Sequence, residues 1–311
     1  QPSSFLLMNT NESPIKLTEW TSCGGCAAKW GASLLSDMVQ KLPSGFDPSL
    51  LVGLAPFDDA AVYQLTDDIA LVSTTDFFPP LVDDPSDFGA IAAANACSDV
   101  FAMGGRVILA VNIAAFPEEL PTDVIAAIFA AASTTVLEAG GTIAGGHTIR
   151  NPEPIFGLAV TGKVKKEHLK QNDQATQNCL LYLTKPLGVG ILSTGQKRGI
   201  VSPTDLATAV KQMSTLNILG EKLGPLSYVH SLTDVTGFGL FGHLVEMSDG
   251  SNVSSELFFN EIPTLDNLDS YLDQKCFPGG TERNWASYGH RIQEGITETQ
   301  RLIGADPQTS G

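Results

Sequence analysis

Three apolar, strand-forming runs, Ile69 to Ser73, Arg106 to Ile113 and Ile155 to Val164, alternate with stretches of helical composition. Few architectures can absorb that order. Between the first two runs lies a small-residue stretch, Phe88 to Phe101, that reads as a helix. Between the second and third lies an Ala-rich helix, Asp123 to Glu138, stopped by Gly140-Gly141. Arg106 to Ile113 is apolar nearly throughout rather than alternating, which predicts a strand covered on both faces. Beyond the polar stretch Lys165 to Gln177, which reads as a domain boundary, the pattern predicts a strand at Cys179 to Thr184 and a helix over Asp205 to Leu219. Tyr228 to Leu232 then leads into Thr233-Asp234-Val235-Thr236-Gly237-Phe238-Gly239 and an apolar helix to Met247. The irregular alternation of strands and helices predicts an α+β protein of two α/β-type domains. A length of 311 residues agrees with two domains, and 43% apolar residues exclude a disordered chain.

Net charge is −16, from 34 acidic and 18 basic residues, so a nucleic-acid partner is not expected. An acidic protein that binds an anionic nucleotide needs a divalent cation between its carboxylates and the phosphates. No uninterrupted apolar run reaches the length needed to cross a bilayer, so no membrane association is expected. Five cysteines, Cys23, Cys26, Cys97, Cys179 and Cys276, in an acidic chain without a secretory leader predict free thiols in a reducing, cytoplasmic setting. Residues 1 to 13 are expected to form a mobile tail.

The recurring chemical feature is an Asp beside Gly, Thr or another Asp at the end of an apolar run: Asp58-Asp59, Asp76, Asp99 and Asp234. Each taken singly also suits a helix cap or a turn. Their joint occurrence, with no basic residue between Lys41 and Arg106, points to a shared cation, and hard oxygen ligands select Mg2+. The glycine-rich stretch Gly140 to Thr148 is either a phosphate cradle or a tight helix-to-strand turn, and His147 is either a ligand or a structural histidine. Cys23-Gly-Gly-Cys26 lacks a second ligand pair for zinc and a thioredoxin-like context for redox exchange. Cys26 is then a reactive thiol or an inert one. Trp30, Leu34, Leu35, Met38 and Leu42 recur at helical spacing, which would place Lys29 in a first helical turn beside Cys26 and favour thiolate.

These residues, in this order, resemble the selenophosphate synthetase family. The resemblance is carried by Leu17-Thr18 with Cys26 and Lys29, by Asp58 to Val62, Ser73 to Phe78, Asn95 to Gly105 and Ala144 to His147. It continues through Pro154 to Gly162, Thr233 to Gly239, Pro278 to Asn284 and Asp306 to Gly311. It implies the fold of the aminoimidazole ribonucleotide synthetase superfamily, in a homodimer whose N-terminal sheets form a shared barrel. It also implies conversion of ATP, selenide and water to selenophosphate, AMP and orthophosphate. By position, Asp59, Asp99 and Asp234 would be metal ligands, and Lys29, Asp76, Asn95, Asp99, Gly145, Gly146 and Thr148 would contact the nucleotide. Cys26 and Lys29 would be catalytic. A segment over residues 14 to 49 would carry Cys26 and Lys29. An ATP- and Mg2+-binding, dimerising domain would span residues 50 to 165, and a second domain, truncated at its C-terminal end, residues 166 to 311. Two departures from the family pattern follow: Ala28 stands where many relatives have a second cysteine, and relatives are expected to continue past the final Ser310-Gly311. The Cys26/Lys29 segment argues against the superfamily's other kinases, synthetases and hydrogenase-maturation proteins.

Overall fold

The computed structural model describes residues 15–22, 24–29, 38–39, 41–42, 47–54, 58–293 and 295–311. The expected tail, Cys23 and most of the helix expected through Trp30 and Leu35 lie outside the described residues. A six-stranded sheet organises the first half. Its strands are β1 (Leu50–Val52), β2 (Ala61–Gln64), β3 (Ile69–Phe78), β4 (Arg106–Phe116), β5 (Ile143–Arg150) and β6 (Ile155–Lys165), in the spatial order β1-β2-β3-β6-β4-β5. β6 runs antiparallel to both neighbours, while β4 and β5 are parallel. In this single chain the sheet is open, with β1 and β5 as its edges.

Helix α1 (Pro85–Ala102) lies across the sheet, and α2 (Thr122–Glu138) packs outside it. The start of α1 is fixed by its sequence: Asp84 accepts from the backbone N–H groups of Ser86 at 2.8 Å and Asp87 at 3.0 Å, and Pro85 occupies the first turn. Its Ala-rich composition lets it be buried almost all round, because small side chains allow sheet and helices to approach from every side. At Gly89 a Cβ would stand 2.2 Å from the Ile128 carbonyl oxygen, so α1 and α2 meet backbone to backbone there. Phe78, Phe88, Phe116, Phe129 and Phe156 interlock beside that crossing, with centroids 5.5 to 6.5 Å apart.

The side chains of β3 alternate strictly. Ala70, Val72, Asp76 and Phe78 are buried toward α1, whereas Ser73, Thr75 and Phe77 face outward. That outward face also carries Tyr63 and Leu71 and leaves Phe77 49% exposed. β5 differs from expectation. Gly145 to Thr148 form no compact turn but lie in an exposed edge strand, held by its pairing to β4.

The second half consists of α3 (Val189–Lys197), α4 (Pro203–Ser214), α5 (Leu219–Leu223), α6 (Gly239–Gly250), α7 (Leu268–Leu272), α8 (Gly279–Tyr288) and α9 (Glu298–Gly304). The strand expected at Cys179 to Thr184 is not formed. Leu180 and Tyr182 are 77% and 84% exposed, and no described segment offers that stretch a ladder partner. The isolated bridge Leu187 to Thr264 lies just beyond it. The halves interlock where α1 packs on α4 and α5. Among the described residues no helix is long and apolar enough to cross a membrane.

Candidate active site

Five separate pieces of chain converge at the C-terminal part of α1. β3 supplies Thr74 and Asp76 from its core-facing side, and α1 supplies Asn95 and Asp99 four residues apart on one face. A single 3-10 turn, Gly25–Ala28, brings Cys26, with Lys29 at its end. From the second half come the loop through Asp234 and the segment Asp306 to Ser310.

Asn95 is the hub. Its Nδ2 donates to Asp76 Oδ2. Its Oδ1 accepts from the Ser310 backbone N–H at 2.7 Å and from the Cys26 thiol at 3.4 Å. Lys29 Nζ lies 3.3 Å from the same Asp76 oxygen, so one carboxylate oxygen orients both a cation and an amide. Burial works against the Lys29 charge, but Asp76, with Asp99 behind it, more than offsets it and holds the ammonium protonated.

Cys26 departs from expectation. It is 1% exposed, and burial pushes its thiol up to about 12 despite the opposing charge of Lys29. The short turn presents no long helix N-terminus to the sulfur, so desolvation prevails and Cys26 is a neutral thiol donor in this arrangement. The turn is pinned from three directions. Gly25 N–H donates to the Pro79 carbonyl at 2.9 Å, Cys26 N–H to Thr309 Oγ1 at 3.4 Å, and Arg283 Nη2 to the Ala27 carbonyl at 2.9 Å.

Asp59, Asp99 and Asp234 form the acidic side of the site. Thr74 donates to Asp99, and Thr233 Oγ1 donates to Asp59 Oδ1 at 3.0 Å. One oxygen of Asp59 and one of Asp234 are buried without a hydrogen-bond partner. Burial raises all three carboxyl groups above their ordinary range, with mutual repulsion adding to it at Asp59 and Asp99. Orphaned, mutually repelling carboxylate oxygens are what a divalent cation relieves, so this donor set fits Mg2+. Among the described residues no three acidic, His or Cys side chains already stand close enough to enclose an ion.

Gly145, Gly146 and Thr148 are not brought to this cluster. Asp76, Leu158, Asn112 and Gly146 occupy one row across β3, β6, β4 and β5, which puts Gly146 three strand spacings, about 14 Å, from Asp76. His147 is exposed on the same edge strand. Conversely, several residues given no role from sequence stand in the site. Thr309 and Ser310 close it from the second half, and buried Lys185 donates to the Ser310 carbonyl and to the Thr215 carbonyl at 2.6 Å. Gly237 packs so closely that a Cβ would meet the Cys26 carbonyl oxygen at 2.9 Å and Lys29 Cδ at 3.2 Å.

Comparison with known proteins places the chain in a family. Residues 57–164 match the family described as AIR synthase related protein, N-terminal domain, and residues 176–277 match its C-terminal domain. The chain is 47% identical over 302 residues to a selenide, water dikinase of Haemophilus influenzae, covering 96% of this chain and 87% of that protein. It is 48% identical over 300 residues to the corresponding protein of Pseudomonas putida, with the same coverage. Among solved structures, thiamine monophosphate kinase from Aquifex aeolicus superposes with a TM-score of 0.64 at 14% identity, covering 89% of this chain and 84% of that one. A hydrogenase maturation protein HypE in complex with ATP gives a TM-score of 0.57 at 20% identity, with 85% and 81% covered. At such identities these two structures speak for the fold.

Proposed function

The chain belongs to the selenide, water dikinase family of AIR synthase related proteins, and from that membership we propose how its own residues divide the work of making selenophosphate from selenide, ATP and water. The observation that carries the reading is the meeting of Cys26, Lys29, Asp76 and Asn95 beside two buried, unpartnered carboxylate oxygens.

Asp59, Asp99 and Asp234 would hold Mg2+, whose chemistry is to neutralise and orient the phosphates of ATP. Lys29, kept protonated by Asp76, is placed to stabilise negative charge developing on a transferring phosphoryl group. Asp76 and Asn95 fix the direction of that ammonium and of the Cys26 thiol. Cys26, shielded from water in the closed turn, is placed to meet the selenium substrate. AMP and orthophosphate balance the reaction. Gly145, Gly146 and Thr148, on the edge strand away from the acidic cluster, would meet the nucleotide at a part distant from its cation-bound phosphates. The exposed apolar face with Tyr63, Leu71 and Phe77 supports a homodimer that covers it. The proposed division is an N-terminal nucleotide and dimerisation domain at 50 to 165 and a second domain from 166.

The test is phosphorus NMR of the protein incubated with Mg·ATP and selenide. A selenium-bound phosphate and AMP should appear together, and both should fall by roughly 100-fold in Asp234→Asn. ATP consumed equally without selenide, or an unimpaired Asp234→Asn, would refute this division of roles. Light scattering that returned only a 33 kDa species would refute the dimer.

A further inference from the structure

Helix α6 starts directly after the loop that carries Asp234, and its first turn reaches back to that loop. His243 is 8% exposed, and its Nε2 lies 3.1 Å from the backbone nitrogen of Thr236, whose N–H it accepts. Accepting at Nε2 places the ring proton on Nδ1, which lies 3.3 Å from Glu246 Oε2, one turn further along the same helix. The Phe238 ring flanks the imidazole at 5.5 Å between centroids. The Thr236 peptide is gripped on its other side as well, because its carbonyl accepts from Gln308 N–H at 2.9 Å and from Gly239 N–H at 3.0 Å. The Gly237 carbonyl accepts from Asn284 Nδ2 at 2.8 Å.

The span so fixed is only a few residues long. It starts at Asp234, which has a buried carboxylate oxygen without a partner. It ends at Gly237, which leaves less than a methyl group's room between itself and the Cys26 carbonyl and Lys29. A displacement of the Thr236 peptide would therefore move a carboxylate of the acidic cluster and open the contact that seats Lys29. We propose that His243, oriented by Glu246, is a positioning residue that sets the Asp234 to Gly237 loop for magnesium-nucleotide binding.

His243 would touch neither nucleotide nor selenium. It acts through a backbone hydrogen bond, and Glu246 acts through His243. A histidine that merely filled the core would need neither the acceptor at Nε2 nor the carboxylate at Nδ1, and both are present. The proposal rests on the reading of Asp234 as part of the cation site.

The experiment has two arms, both on the intact chain. Nitrogen-15 NMR of the histidine rings in the ligand-free protein reads the tautomer, and the expected result is a proton on Nδ1 and a bare Nε2 at His243. Calorimetry then measures binding of magnesium with a non-hydrolysable ATP analogue. His243→Phe preserves bulk but leaves the Thr236 N–H without an acceptor, and it should weaken binding roughly 10-fold or more. His243→Gln, whose amide oxygen reaches the position of Nε2, should recover most of that loss. Glu246→Leu, at a half-exposed site, keeps the question answerable if His243→Phe does not fold, and it should weaken binding in the same direction. A proton found on Nε2 would overturn the proposal. So would variants that bind as tightly as a wild type that itself binds well. A wild type that binds no magnesium nucleotide would instead overturn the reading of the acidic cluster, and the proposal with it.

Discussion

Lys29 Nζ is engaged by Asp76 at 3.3 Å while the Cys26 thiol donates to Asn95, so the two neighbours have separable expected effects. Lys29→Ala should reduce phosphoryl transfer by on the order of 100-fold and also weaken nucleotide binding, since an ammonium near phosphate serves both. Cys26→Ser should leave binding of magnesium nucleotide within error and remove selenide-dependent product. Isothermal titration beside a product assay checks both, and full turnover in Cys26→Ser would leave the thiol without a part. Legibility at this scale follows a physical divide. Asp59, Asp76, Asp99, Asp234, Cys26 and Lys29 could be picked out because their own side-chain chemistry is what the site uses. Thr309, Lys185 and His243 could not, because each works through a backbone group elsewhere in the chain, nor could Ser310, which works through its own backbone N–H. The protonation state of Cys26 is not legible for a related reason: proximity to Lys29 follows from three residues' spacing, but the depth of burial that outweighs it does not.

Among the elements, α1 matters most, since it carries Asn95 and Asp99 and packs against both halves. Its crossing with α2 at Gly89 has no room for a side chain, so Gly89→Ala should force the helices apart. The expected cost is about 1–3 kcal/mol by chemical denaturation, with activity falling further than stability because Asn95 and Asp99 shift with the helix. A neutral or stabilising Gly89→Ala would contradict that contact. The start of α3 makes a second case. Buried Asp306 accepts from Gly190 N–H at 3.0 Å and Ile191 N–H at 3.4 Å, leaves its other oxygen unpartnered, and is pushed up to about 8 by burial. An acid whose folded pKa exceeds its unfolded one favours folding most at low pH. Its contribution should be lost as pH climbs from about 4 toward about 8. Asp306→Asn should flatten that portion of the stability profile, as read by urea melts across the range, and an unchanged slope would count against it. Strands β3, β4 and β6 were legible because apolar runs of their length fit little else. β5 was not, since Gly145-Gly146 resembles a turn until β4 supplies a parallel partner, and Cys179 to Thr184 failed as a strand for want of one.

For the whole molecule, the site exists only where the halves meet, so a ligand bound there should stabilise both together. Magnesium nucleotide at about 100 times its dissociation constant should add about 2.7 kcal/mol and raise a single thermal transition, while a chelator should cancel the shift. Two transitions, only one of them moving, would show that the halves unfold independently and that their contact is looser than α1 suggests. The division into two halves was visible in the change of composition near Lys165. Their interlocking was not, because no local pattern announces that Asn95 will find Ser310, 215 residues away. That separation has a meaning in time as well as in space. Cys26 waits for Thr309 across 283 residues, and at ribosomal speeds of about 5–20 residues per second that interval is roughly 15–60 s. Throughout it the N-terminal sulfur lacks the Thr309 hydroxyl that pins its turn, so a growing chain on the ribosome offers any electrophile in the cell a thiol that the finished protein hides.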